Sequence, residues 1–444
     1  MKSKVATFIL LCGILFFAAN CRKNNSENQN NASNTEKYKA DVAVSWYNLL
    51  TEISRLTPYP PPPSIRIFAY SGLTLYESVV PGMPSYNSIY KHFTGLDIPF
   101  DKTKEYYWPA AANASLSRIS SKLMANYGTP PLLALIQKLE DSLTQIFAIS
   151  VAPEKMQLSI EFGRMVADKV YEWSTQDGTL TSSGALAVCP PYSPPSGPGL
   201  WVPTPPGFLP AAGACQGSLR TFIPDIVNAV LPPDPPDYST ELTSDYYKMA
   251  DKIYQLSLTR TTNDSMISEA WRDRLGMNFN TPAHILSLTS QIILKEKLNL
   301  EEAAIIYAQQ GIAMFDAIAA SFKFKFYYYL LERPITYIRN IMGKTTWNSI
   351  YPTPQHPSYP AVAPAAAAAG IVILEKKLGT SYNFIDSTQK GIYGSWNYSS
   401  FDELVKDVGK SRTHSGLNFE VSVTEGITQG RKAGEIVDKL LFKK

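Results

Sequence analysis

The sequence predicts an all-α fold, and three observations predict it. Apolar residues recur at helical spacing in one segment after another, while strand-like alternation is scarce. Helix punctuation sits where that spacing requires it: Asn299 with Glu302 forms a capping-box pattern, and Gly379 stands as a C-cap. A run of small residues, Ala303, Ala313, Ala317 and Ala320 with Ile306 and Gln310, lines one helix face and lets neighbouring helices approach closely.

Taken in order, Val42, Val44, Trp46, Leu49, Leu50 and Ile53 give a helix over 38–56. Prolines 60 to 63 then break the chain before a second helical run from Ser64 to Val80. Residues 106–126 predict another helix, and 130–176 a long amphipathic one. Residues 180–240 are crowded with proline and glycine, including Gly197-Pro198-Gly199-Leu200-Trp201-Val202-Pro203, and predict a long loop of a kind that is usually functional or well packed. Helices resume near 239, and the capping box opens one reaching about Tyr329. Further helices are expected over 361–378 and 422–441, and no internal repeat is visible.

With 444 residues, 45% hydrophobic and 18% charged, the chain is long enough for a sizeable core. A net charge of +3 without a Lys/Arg-rich run argues against a nucleic-acid partner. Met1 to Lys4 is a basic n-region, and Val5 to Ala19 is apolar but short for a membrane span, so residues 1–20 are expected to be a signal peptide. Cys21 falls where the apolar run stops and resembles the lipidated cysteine of a bacterial lipoprotein, although Asn20 is a loose match before it. Residues 21–37 then form a polar tether, and 38–444 one helical domain. The alternative is a plainly secreted protein. Cys189 and Cys215 remain as candidates for a disulfide stapling the proline-rich loop, and their spacing does not suit a metal site.

Near the C-terminus stand Arg333-Pro334, then His356-Pro357-Ser358-Tyr359-Pro360-Ala361-Val362-Ala363, then Ser411-Arg412 with Gly416, Asn418 and Phe419. In this order they resemble the three signature blocks of the type 2 phosphatidic acid phosphatase/vanadium haloperoxidase superfamily. The resemblance extends to the Trp46–Tyr76 region, the Gly199-Leu200-Trp201 run and Asp316-Ala317 before Arg333. It implies a helical bundle of the acid phosphatase/vanadium haloperoxidase type with long proline-rich loops. It also implies a pocket for phosphate or vanadate, in which arginine forks and helix N-termini hold the oxyanion.

The blocks are damaged. The family lysine is expected seven positions before the arginine, but Lys325 stands eight before Arg333, and Phe326 takes the expected place. One residue turns a helical side chain by about 100°, so Lys325 reaches the pocket only through a bulge. The family's Ser-Gly-His is Ala361-Val362-Ala363, which removes the acid histidine. The histidine that attacks phosphorus or bonds vanadium is replaced by Asn418. The resemblance therefore implies oxyanion binding by Lys325, Arg333 and Arg412 with impaired catalysis. One alternative is an active phosphatase or haloperoxidase in which His414 serves as nucleophile and His356 as acid. Another is a non-enzymatic envelope scaffold in which Arg333 and Arg412 pair with Glu332, Asp316 or Glu420. The implied partners are a phosphate-like anion or other small molecule and a membrane reached through the lipid anchor, in a bacterial cell envelope. Neither a Gly-rich phosphate loop nor an H-E-x-x-H, C-x-x-C or G-x-S-x-G pattern is present.

Overall fold

The structure, a computed structural model, describes residues 34–57, 61–126, 128–274, 276–440 and 442–444. The expected signal peptide, Cys21 and tether residues 22–33 lie outside these. Residues 34–37, expected to belong to the tether, fall in the folded unit. Thr35 opens a short 3₁₀ turn, Thr35–Lys37, and its buried hydroxyl donates to Val79 O at 2.8 Å.

Helices α1 (Asp41–Leu56), α2 (Pro61–Val79) and α3 (Trp108–Met124) follow the predicted periodicity. The single helix expected over 130–176 is two, α4 (Pro130–Ala148) and α5 (Pro153–Ser174). Pro153 lacks an N–H and forces Ala152 into an extended conformation, so it starts a helix and cannot continue one. Resumption comes at α6 (Asp245–Leu258), whose N-cap Ser244 accepts the Tyr247 N–H.

Two helices follow that periodicity alone did not separate: α7 (Thr262–Ala270), opened by a Thr261–Asp264 capping box, and α8 (Thr281–Lys295), capped by Asn280. Then come α9 (Leu300–Phe324), the short α10 (Pro334–Asn340) and α11 (Val362–Leu378). An antiparallel pair, β1 (Phe384–Asp386) and β2 (Trp396–Tyr398), precedes α12 (Phe401–His414) and α13 (Glu420–Asp438).

The core is built around α9. Both halves of the Asn299–Glu302 capping box form, and the small-residue face is buried. Gly72 and Gly311 bring α2 and α9 together so closely that a Cβ on either would strike the opposing backbone. Tyr47 stacks flat on Tyr307, ring centroids 3.6 Å apart. Residues Leu300–Tyr329 are long and apolar enough to cross a bilayer, but this segment is enclosed by its neighbours, and its apolarity serves the core.

Helix α13 lies along α11 on a glycine seam. Gly426, Gly430 and Gly434 face the carbonyls of Ala361, Ala365 and Ala369. A smaller second core, with Tyr246, Leu331, Tyr337, Tyr359 and Phe419, sits where α6, α10 and the starts of α11 and α13 converge.

Candidate functional site

The site is assembled where α9 ends. Its last residues do not continue as α-helix: Lys325–Tyr329 form a π-helical turn in which Leu330 N–H donates to Lys325 O at 3.2 Å. A π-turn absorbs one extra residue. It is the bulge that the eight-residue spacing to Arg333 requires, and it delivers Lys325 to the interior with no exposed surface. Lys325 Nζ donates to Pro357 O at 2.6 Å and Ser358 O at 2.9 Å.

Arg333 is the N-cap of α10, and Pro334 fixes that helix's first turn. Its guanidinium is fully buried. Nε donates to His356 O at 2.9 Å, Nη1 to Leu417 O at 2.9 Å, and Nη2 lies 3.0 Å from His356 Nδ1. Arg412, in the last turn of α12, is also buried and donates through Nη1 to Trp271 O at 3.3 Å.

The three cations act on one another. Burial first, then Arg333 and Arg412, hold the Lys325 amine well below the usual lysine range. Burial and Arg412 push Arg333 down to about 9, so it keeps its charge at neutral pH. Among the described residues, none of the three makes an ion pair. Glu332 instead accepts from Tyr246 Oη at 2.9 Å, and Asp316 accepts the Phe222 and Ile223 N–H groups, each at 2.8 Å. Arg412 has Asp273 within electrostatic reach. Of the acids weighed as partners for the arginines, Glu332 and Asp316 are thus engaged elsewhere, and Glu420 is exposed.

The candidate histidines part company. His356 joins the cluster: burial, then Lys325 and Arg333, hold its imidazole well below the usual histidine range. In the neutral ring Nδ1 accepts from Arg333, so the proton sits on Nε2. His414 points elsewhere. Its Nε2 is 3.7 Å from Asp264 Oδ1, and its Nδ1 lies beside Lys410 O.

Asn418 is buried within the cluster. Its Nδ2 donates to Ser358 O at 2.8 Å and Ser358 Oγ at 3.2 Å. Ser358 Oγ is in turn 3.0 Å from Ser422 Oγ, and Ser422 O accepts the Ala361 N–H. Ala361 is the N-cap of α11 and offers no side-chain cap; Ala363 follows inside the first turn. Sequence reasoning passed over Ser358 and Ser422, whose only signal was a hydroxyl just before Tyr359-Pro360 and another three residues after Phe419.

The long proline-rich segment wraps this region. Trp201 N–H donates to Leu330 O, Glu332 N–H to Gly199 O and Ala212 N–H to Gln355 O. Tyr192 Oη bonds Phe326 O, and the Thr204 and Thr353 hydroxyls meet. Cys189 and Cys215 are joined, with Cα atoms 5.4 Å apart, stapling the segment beside the end of α9. Among the described residues no cluster of His, Cys, Asp or Glu is arranged to hold a metal ion.

The fold that carries these residues has known counterparts. Residues 305–443, which include every site residue described above from Lys325 to Asn418, match the family model of the VCPO second helical-bundle domain. The structure of the first bacterial vanadium-dependent iodoperoxidase superposes with a TM-score of 0.81 at 24% identity, covering 95% of this chain and 98% of that one. A bacterial vanadium-dependent chloroperoxidase in its holo form gives a TM-score of 0.63 at 14% identity, covering 88% and 95%. Its apo form gives 0.62 at 14%, covering 88% and 98%. No curated protein matches the chain in sequence. The chain therefore has the helical-bundle fold of the vanadium haloperoxidases, and its residues 305–443 are similar to the VCPO second helical-bundle domain.

Proposed function

We propose that this chain binds a phosphate-like oxyanion in the haloperoxidase-type site and does not turn it over by the histidine-dependent route. The observation that carries this reading is the burial of Lys325, Arg333 and Arg412 together with no ion pair among the described residues, Asp273 acting on Arg412 only at a distance. Buried cations are costly unless paired, and a tetrahedral anion is the partner that two buried guanidiniums and an amine able to take up a proton suit.

Vanadate tests the fit in two ways. The cations suit its charge and its oxygens. The position from which a side chain would bond the metal is Asn418, whose amide nitrogen is a donor turned to Ser358. An amide is a poor vanadium ligand and a poor nucleophile toward phosphorus. The residues therefore suit an anion held by charge and hydrogen bonds but not one bonded through this side chain.

A second reading is a phosphatase or haloperoxidase with relocated histidines. It is favoured by His356 beside Arg333 and weakened by His414 facing Asp264. A third is a closed scaffold, favoured by the carbonyls that already occupy Lys325 and Arg333. Export, lipidation at Cys21 and a place on the cell envelope belong to the proposal and rest on the N-terminal sequence.

The deciding experiment is orthovanadate and phosphate calorimetry on the chain without residues 1–21. Binding that Arg333→Ala abolishes, without phosphate-ester hydrolysis or peroxide-dependent bromide or iodide oxidation, supports the proposal. Turnover that Arg412→Ala abolishes selects the enzyme. Absence of both binding and turnover selects the scaffold.

A further inference from the structure

The turn between α4 and α5 projects apolar surface into solvent, close to where the described chain begins. From Ser142 to Pro153 no residue is charged. Ile149, at the C-cap of α4, is 87% exposed, and Ala148, Ala152 and Pro153 around it are exposed as well. Ile146, Phe147 and Val151 are half-buried beneath it. Scattered exposed apolar residues are ordinary, but an uncharged knob of this kind is not.

Its position gives it a meaning. The Phe147 ring meets Tyr107 edge-on, centroids 5.5 Å apart, and Tyr107 meets Tyr38 at 5.1 Å. Tyr38 follows immediately on the first described turn. The first described turn thus lies two ring contacts from the knob. Thirteen positions separate Cys21 from Asn34. Thirteen residues, fully extended, reach at most roughly 45 Å.

We infer that the Ile149 knob is a membrane-resting surface, seated in the bilayer interface that a lipid on Cys21 would bring to it. A tether alone leaves the body free to tumble. A second, weak apolar contact near the tether's root needs little affinity of its own, because tethering raises its effective concentration. Together the two would present one face of the domain to the lipid. This inference depends on lipidation at Cys21 and is independent of the oxyanion reading.

The test uses the full lipidated chain in vesicles of phosphatidylethanolamine and phosphatidylglycerol. An environment-sensitive fluorophore is placed on Ile149→Cys or, as control, on Ile385→Cys, a 58% exposed residue on β1. The expected result is a blue shift and quenching by brominated lipid at position 149, and neither at 385. A chain that floats with the vesicles while neither label responds overturns the inference, as does a chain that does not float. A blue shift at 149 that grows with protein concentration in the absence of lipid also overturns it, and assigns the knob to a second copy of the chain.

Discussion

Anion binding at the Lys325–Arg333–Arg412 cluster should draw a proton from solution. A neutral amine has two N–H donors, and Pro357 O and Ser358 O take two from Lys325. Burial and the two arginines favour that neutral form. An arriving anion reverses the balance, because it rewards the ammonium with a counter-charge and accepts its third N–H. Where the free-site amine is neutral and the bound-site amine charged, uptake approaches one proton per anion. Affinity then falls about tenfold for each pH unit gained, or about 1.4 kcal/mol. Sulfate is the suitable probe, since it does not titrate near neutrality. Calorimetry in buffers of different ionisation enthalpy reads the proton count directly. Lys325→Met should abolish the uptake while Arg333 still supports weak binding. His356→Gln separates the other candidate, because His356 is also held neutral by burial, Lys325 and Arg333. Uptake that persists in Lys325→Met and vanishes in His356→Gln moves the proton to the histidine. Sulfate binding with no uptake in the unaltered chain would falsify the assignment of a neutral lysine.

Three buried carboxyls predict how stability depends on pH. Burial pushes Glu77, Asp316 and Glu332 each up to about 7, so the folded chain holds protons that the unfolded chain releases above about pH 4. Their contribution is complete at acidic pH and is lost as pH rises through about 7; denaturant midpoints should therefore fall between about pH 5 and pH 8, and Glu77→Gln should remove about 3 kcal/mol of that slope. Gly426→Ala sets a Cβ 2.4 Å from Ala361 O, which should cost about 1–3 kcal/mol in thermal or chemical unfolding and weaken anion binding by displacing the start of α11. Cys215→Ser opens a loop of sequence separation 26 and should lower unfolding free energy by about 3–4 kcal/mol, with faster proteolysis across residues 180–220 as a second readout. Ala361→Ser, Val362→Gly, Ala363→His and Asn418→His together should gain phosphate-ester hydrolysis or vanadate-dependent halide oxidation; a folded, anion-binding variant that remains inert would show that the remaining geometry has drifted.

Much of the architecture was readable because its signals are local. The Asn299–Glu302 box and the Pro153 start are short-range chemistry, although the second was overlooked within an amphipathic run. The three blocks were readable in order because proline and glycine punctuate each of them. The separation of His414 from Arg412 was also within reach, since two helical positions are about 200° apart and cannot share a face. The partners of the cations were not readable. Apart from His356 Nδ1 they are main-chain carbonyls of residues 271, 356, 357, 358 and 417, and every residue carries a carbonyl. The eight-residue spacing called for a bulge only when set against the family pattern, because a π-turn changes one hydrogen-bond register and leaves composition untouched.

The glycine seam separates the helical frame from the side chains it carries. Ala361 to Ala363 and Ser422 belong to helices whose backbones touch through Gly426, Gly430 and Gly434, with no side chain between them. Contacts made by main chain do not depend on which residue stands at the catalytic positions. Side chains at 361, 363 or 418 can therefore be exchanged without parting the two helices. Such a frame can lose one reaction and keep the shape for another, which makes it a scaffold on which new side chains can be tried one at a time.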